Sequence, residues 1–229
     1  MNFIKMILST LIFSFAFLSL TPFSFAQHEH SMKKDAVGKI NFPVSGSSEI
    51  QEQFNHALAM LHHMMYEHAE KEFKNIAEKE PNCAMAYWGI AMSYLHPLWD
   101  EPRKEDLKNG WEAVEKGKMI NSASKKEQDY ISAIEAFYKD WQTIKHSERL
   151  VNWEKAQEKL HQSYPDDIDA GAFYALSLLA TAPKDNKTFS NQKKAGALLE
   201  ELFVKAPEHP GLFHYIIHAY DNPVFAKDA

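Results

Sequence analysis

Histidine is the residue type through which this chain is best equipped to do chemistry. It occurs 12 times in 229 residues. His214 and His218 are four apart, which puts two imidazoles on one face of a helix, about 6 Å from each other, where they can share a metal ion. Asp221 continues the same face. The residues between the two histidines are Tyr215, Ile216 and Ile217, so the glutamate of an H-E-x-x-H metalloprotease is missing. The competing role for this pair is hydrogen bonding within a helix–helix seam. In His62-His63-Met64-Met65 the neighbours point about 100° apart on a helix, so the run is not a four-ligand cluster. Met64 and Met65 read as core filler, and His63 at most pairs with Glu67. Near the start, Gln27–Met32 reads Gln-His-Glu-His-Ser-Met. With Gln27 as the terminal residue, its amine, the next amide and the His28 imidazole chelate Cu(II), and His30 adds a donor; the competing role is a solvated arm. Nucleophilic catalysis has no support. Cys83 is the only cysteine, which excludes an internal disulfide and a multi-cysteine metal site. There is no glycine-rich phosphate loop and no G-x-S-x-G. Asp166, Asp167 and Asp169 sit at a helix start, where they serve the dipole.

The elements that carry these residues are helices. Only 8 Gly and 10 Pro are spread along the chain, too few for the tight turns of a sandwich or barrel. A 34-residue echo organises the first part: Phe54 meets Trp88, Ala57 meets Ala91, Leu58 meets Met92, Leu61 meets Leu95 and His62 meets His96. That is the period of the tetratricopeptide repeat, a pair of antiparallel helices. Ser48 with Gln51 reads as a capping box at the front. Ala69, Phe73 and Ile76 mark one face of the first unit's second helix, and Pro81 closes it. The second unit opens with Ala84–Trp99. An irregular helical insertion follows, with helices over Glu105–Ile120 and Lys125–Trp141, the latter capped by Ser124 and Glu127. Further helices are predicted over Glu148–Tyr164, Asp169–Ala180 and Ser190–Lys205, and a last one begins at Pro210. The fold class is all-α, a tetratricopeptide-like α-solenoid over residues 49–229.

In such an array the first helices line a concave surface. Equivalent positions in stacked repeats lie about one helix spacing, ~10 Å, apart. His62 and His96 are therefore expected to share a groove, with Phe54, Trp88, Met92 and Trp99 as its apolar wall. Histidine, methionine and aromatic rings together suit a peptide, a protein partner or a small apolar ligand. They also suit a soft transition metal held by His62, His96, His214, His218 and Asp221. The competing role for the aromatic residues is inter-repeat core.

Met1–Ala26 reads as a signal peptide: Lys5 is its single charge, Leu11–Leu20 is apolar apart from two serines, and Ser24-Phe25-Ala26 offers a cleavage site. Export to the periplasm or medium follows, with no stable membrane anchor after cleavage. Loss of Lys5 takes the net charge from −6 to −7, which leaves no electrostatic footprint for nucleic acid. Residues 27–48 read as a flexible polar arm.

FNHALAMLHH with Tyr66 and Ala69, then PNCAMAYWGIAMSYLHPLW, then EHPGLFHYIIHAYDNP together resemble a family of exported bacterial tetratricopeptide-repeat proteins of uncharacterised function. The resemblance spans Phe54 to Pro223. It carries no established reaction, ligand or cofactor with it, and it implies further repeats beyond the last helix; the expectation of a non-enzymatic binding or scaffold module rests on the 34-residue echo and the absence of catalytic motifs. Phe213, Ile216, Ile217 and Tyr220 are accordingly expected to lack a covering helix and to be open to self-association.

Overall fold

The computed structural model describes residues 37–183, 187–222 and 224–225, all within one compact unit, Met32–Ala229. Residues 1–36, and with them the stretch expected to be a signal peptide, His28 and His30, lie outside the described residues. Among the described residues the regular structure is entirely helical: α1 (Ser48–His62), α2 (Tyr66–Lys79), α3 (Ala84–Ser93), α4 (Lys104–Lys118), α5 (Lys125–Tyr138), α6 (His146–Ser163), α7 (Ile168–Ala180), α8 (Ser190–Lys205) and α9 (Pro210–Tyr220). None of them is long and apolar enough to cross a membrane.

Local chemistry sets the boundaries. Ser124 and Glu127 form a reciprocal capping box at the start of α5. The Asp167 carboxylate accepts the Asp169 and Ala170 N–H groups at the start of α7. Pro210 occupies the first turn of α9, where its missing N–H costs nothing. Pro81, Pro165 and Pro207 each lie two residues past the end of a helix, α2, α6 and α8.

The odd- and even-numbered helices differ in how they are buried, and composition explains why. α3 and α7 are apolar almost all round and are buried nearly throughout, as expected of helices covered on more than one side. α2 carries only a stripe, Ala69, Phe73 and Ile76, and α8 a similar one, Ala195, Gly196, Leu199 and Leu202. Each even-numbered helix packs between the odd-numbered helices before and after it. The odd-numbered helices also touch one another: α5 against α3, α3 against α1, α1 against α9 and α9 against α7. Trp88 of α3 is buried against Phe73 of α2, Tyr130 of α5 and Phe173 of α7.

Several expectations need correction. Residues 37–47, read as part of a flexible arm, are packed down: Val37 and Phe42 are buried, and the Phe42 ring contacts Phe54, Trp88 and Tyr130. Gln51 does not complete a capping box with Ser48. Ser47 is the N-cap, and the Gln51 amide donates to the Phe42 carbonyl while its oxygen accepts the Val44 N–H. The side chain thus pins this strap rather than the helix end. Within the stretch Ala84–Trp99 that opens the second unit, α3 ends at Ser93. Glu105–Trp141, expected as an irregular insertion, keeps the even–odd alternation, with α4 between α3 and α5. α9, whose Phe213, Ile216, Ile217 and Tyr220 were expected to lack a covering helix, packs on α8, α7 and α1 through Leu212, Tyr215 and Ala219, and Ile216 and Tyr220 are half-buried. Phe213 and Ile217 remain exposed on its other side, the face on which the expectation of self-association rests.

Candidate functional site

His62 is the last residue of α1 and is fully buried. Its Nε2 lies 2.9 Å from Asp169 Oδ1 in the first turn of α7, and its Nδ1 lies 3.0 Å from the Tyr215 hydroxyl of α9. His209, the N-cap residue of α9, brings its Nε2 to 3.2 Å from the same carboxylate oxygen. A carboxylate only accepts, so both Nε2 atoms carry hydrogen and donate. Neutral His62 then accepts from Tyr215 at Nδ1. Burial pulls the His62 imidazole down to about 4, although Asp169 works against it. Burial alone would raise the Asp169 carboxyl, but the hydrogen bonds from His209 and His62 override it and hold it well below the usual range. The start of α7 adds favourable dipole. The close fit depends on Gly211: a Cβ there would meet His62 Nδ1 at 2.3 Å. The Phe173 ring stacks on the other side at 4.6 Å. This is the one group of three His, Cys, Asp or Glu donors within metal-binding reach among the described residues. Both N–H groups are already engaged, and the three side chains are nearly sealed from solvent. The cluster works as a hydrogen-bonded latch joining α1, α7 and α9.

A second histidine group lies at the surface. His214 Nδ1 is 2.9 Å from the His62 carbonyl, and His214 Nε2 is 3.2 Å from His218 Nε2. Both rings are half-buried, and burial holds both imidazoles below the ordinary histidine value; in His218 the His214 ring adds to the effect. His63 donates from Nε2 to the Val37 carbonyl and lies 6.2 Å, ring to ring, from His214. Trp99 meets His218 edge-on at 6.0 Å. Asp221 acts on His218 only as a nearby charge and belongs to no three-donor group.

Trp99 also walls a cleft of about 760 Å³ between the start of α2 and the connection from α3 to α4. Tyr66, Tyr94 and His96 supply further rings, and Met64 part of the lining. His96 lies three residues past the end of α3 with φ +47°, a left-handed conformation that histidine tolerates better than most residues. Its ring turns onto Tyr66 at 4.3 Å. The rim is acidic. Ion pairs engage Glu70 with Lys74, Asp106 with Arg103 and Glu101 with Arg149, whereas Glu67, Asp100 and Glu105, which also line the cleft, are in none of the ion pairs among the described residues.

The expected groove is thereby redistributed. Phe54, Trp88 and Met92 are buried core, because the helices bearing them are covered on more than one face. His62 turns inward to Asp169, while His96 turns outward to the cleft. The 34-residue echo does not make them structural equivalents: one ends a helix, and the other follows a helix end in a left-handed turn. His96 and Trp99 line the cleft together. His214 and His218 meet, without His96 or Asp221. His209 and Tyr215 were not foreseen, and Asp169 had been read only as a dipole partner. One signal was available: histidine is a poor N-cap side chain next to Ser, Thr, Asp or Asn, so His209 before Pro210-Gly211 pointed to a role other than capping. In comparisons with known proteins, no family model, curated protein or solved structure matches this chain.

Proposed function

We propose that this chain is a non-enzymatic binding module of the bacterial cell envelope, and that its cleft takes a peptide or small ligand carrying positive charge beside an apolar group. The observation that carries this reading is the cleft itself. Tyr66, Tyr94, His96 and Trp99 supply rings, and Glu67, Asp100 and Glu105 supply carboxylates outside the ion pairs. A guanidinium or ammonium over an aromatic face gains ~0.5–2 kcal/mol, and carboxylates on the rim add attraction that salt screens. An aromatic or aliphatic side chain fits against Trp99, which is 55% exposed. The alternation of helices and the 34-residue echo support a tetratricopeptide-like array, here curved until α9 meets α1. The composition of Met1–Ala26 supports export.

The test is calorimetric titration of the protein with an N-acetylated, C-amidated Arg-Phe-Arg tripeptide and with its neutral citrulline counterpart, acetylated and amidated in the same way. The expected result is binding of the arginine peptide that weakens with salt and exceeds the citrulline peptide by a factor of about 3 to 30. Equal binding of the two peptides, or binding unchanged by Trp99→Ala, would overturn the proposal.

A further inference from the structure

We infer that His214 and His218 form a two-nitrogen site for a borderline divalent cation, zinc(II) or copper(II), on the side of α9 that faces the end of α1 and Trp99. The inference is independent of what the cleft binds. The His62 carbonyl can only accept, so His214 Nδ1, 2.9 Å away, carries the hydrogen and Nε2 presents its lone pair outward. A ligating histidine is commonly fixed in this way, with its second nitrogen donating to a backbone carbonyl. His218 sits one turn on, and its Nε2 is 3.2 Å from that lone pair. On a tetrahedral ion with nitrogens at ~2.0–2.1 Å, two ligand nitrogens stand about 3.3 Å apart, so the separation already matches and the rings have only to tilt their Nε2 atoms toward a shared ion. Without metal, His218 donates a hydrogen bond to His214. Metal binding replaces that hydrogen, which leaves as a proton or moves to His218 Nδ1. Leu212, Tyr215 and Ala219 anchor α9 in the core, so the pair stands on a fixed platform. Trp99 walls the site on the His218 side. Both rings are half-buried, which leaves the remaining coordination positions to water. The buried cluster at His62 is a poorer candidate, since its two N–H groups already serve Asp169.

The test is calorimetric titration of the full chain with zinc chloride and, separately, with copper(II) sulfate. It is repeated on His214→Gln, His218→Gln and the double variant His28→Ala/His30→Ala. One equivalent of at least one of the two ions is expected to bind. Affinity should fall by more than about tenfold in either single variant and stay unchanged in the double variant. In the unsubstituted protein the same ion should shield His214 and His218 from diethyl pyrocarbonate, read by peptide mass spectrometry. That readout decides the matter even if a variant fails to fold. Binding that survives both single variants, loss of binding only in the His28/His30 variant, or equal modification of His214 and His218 with and without metal would overturn the inference.

Discussion

His62 takes up a proton only in acid, and this links the latch to stability. Its value of about 4 in the folded protein lies below the ordinary 6.5, so between those limits the unfolded chain binds a proton that the native state does not. Stability from this group is complete above about pH 6.5 and falls as pH drops toward 4. At ~1.36 kcal/mol per unit, the loss between pH 7.5 and 4.5 is about 2 to 3 kcal/mol. Asp169 acts in a lower window: its carboxyl is held below the ordinary 3.8, so its contribution is present above that value and fades below it. NMR titration should find the His62 imidazole unprotonated at pH 5, and urea unfolding should find less pH dependence in His62→Gln. A titration near pH 6.5 would contradict the latch. Two tryptophans separate the roles of core and cleft. Trp88→Ala should cost about 3–5 kcal/mol, whereas Trp99→Ala should change stability by no more than about 0.5 kcal/mol, both read by chemical denaturation. Residue types and spacing made the His214–His218 pairing legible. They did not reveal the partners of His62, because Asp169 and Tyr215 are over a hundred residues away and belong to helices whose packing order no local pattern encodes.

α9 and the strap at 37–47 illustrate what an element's own sequence leaves open. α8 begins and ends where its apolar spacing and Pro207 place it, and α5 starts at the capping box that Ser124 and Glu127 announce. The strap reads as a linker by its Gly38, Pro43, Gly46 and serines, although Val37, Ile40 and Val44 flank Phe42. Its burial depends on rings from α1, α3 and α5 that close over that side chain. Phe42→Ala should therefore cost about 3–5 kcal/mol, where a free arm would show no effect. On α9 the apolar residues divide between two faces. Leu212→Ala should cost about 2–5 kcal/mol, while Phe213→Ser on the exposed face should stay within about 0.5 kcal/mol. Both are measurable by thermal or urea unfolding. A large loss at Phe213 would mean that a second copy covers this face.

Across the unit from Met32 to Ala229, the contact of α1 with α9 is what the repeat pattern did not foretell. Stacking rules describe neighbours, and a 34-residue period says how one pair sits on the next. Whether the last pair returns to the first depends on curvature summed over every interface. Here the return is secured by His62, Asp169, His209 and Tyr215, and the carbonyl of His62 in turn orients His214. The cleft lies where α2 starts beside the turn after α3, so its rings are held by packed helices, while Asp100, Glu101 and Trp99 come from the connection to α4. The most direct measurement of the central claim, that this cleft is the binding surface, is hydrogen exchange on the full chain with and without the amidated Arg-Phe-Arg peptide. Added protection is expected over Met64–Glu70 and His96–Asn109, with α8 unchanged. Protection confined to other segments, or none at a peptide concentration that saturates the calorimetric signal, would contradict it.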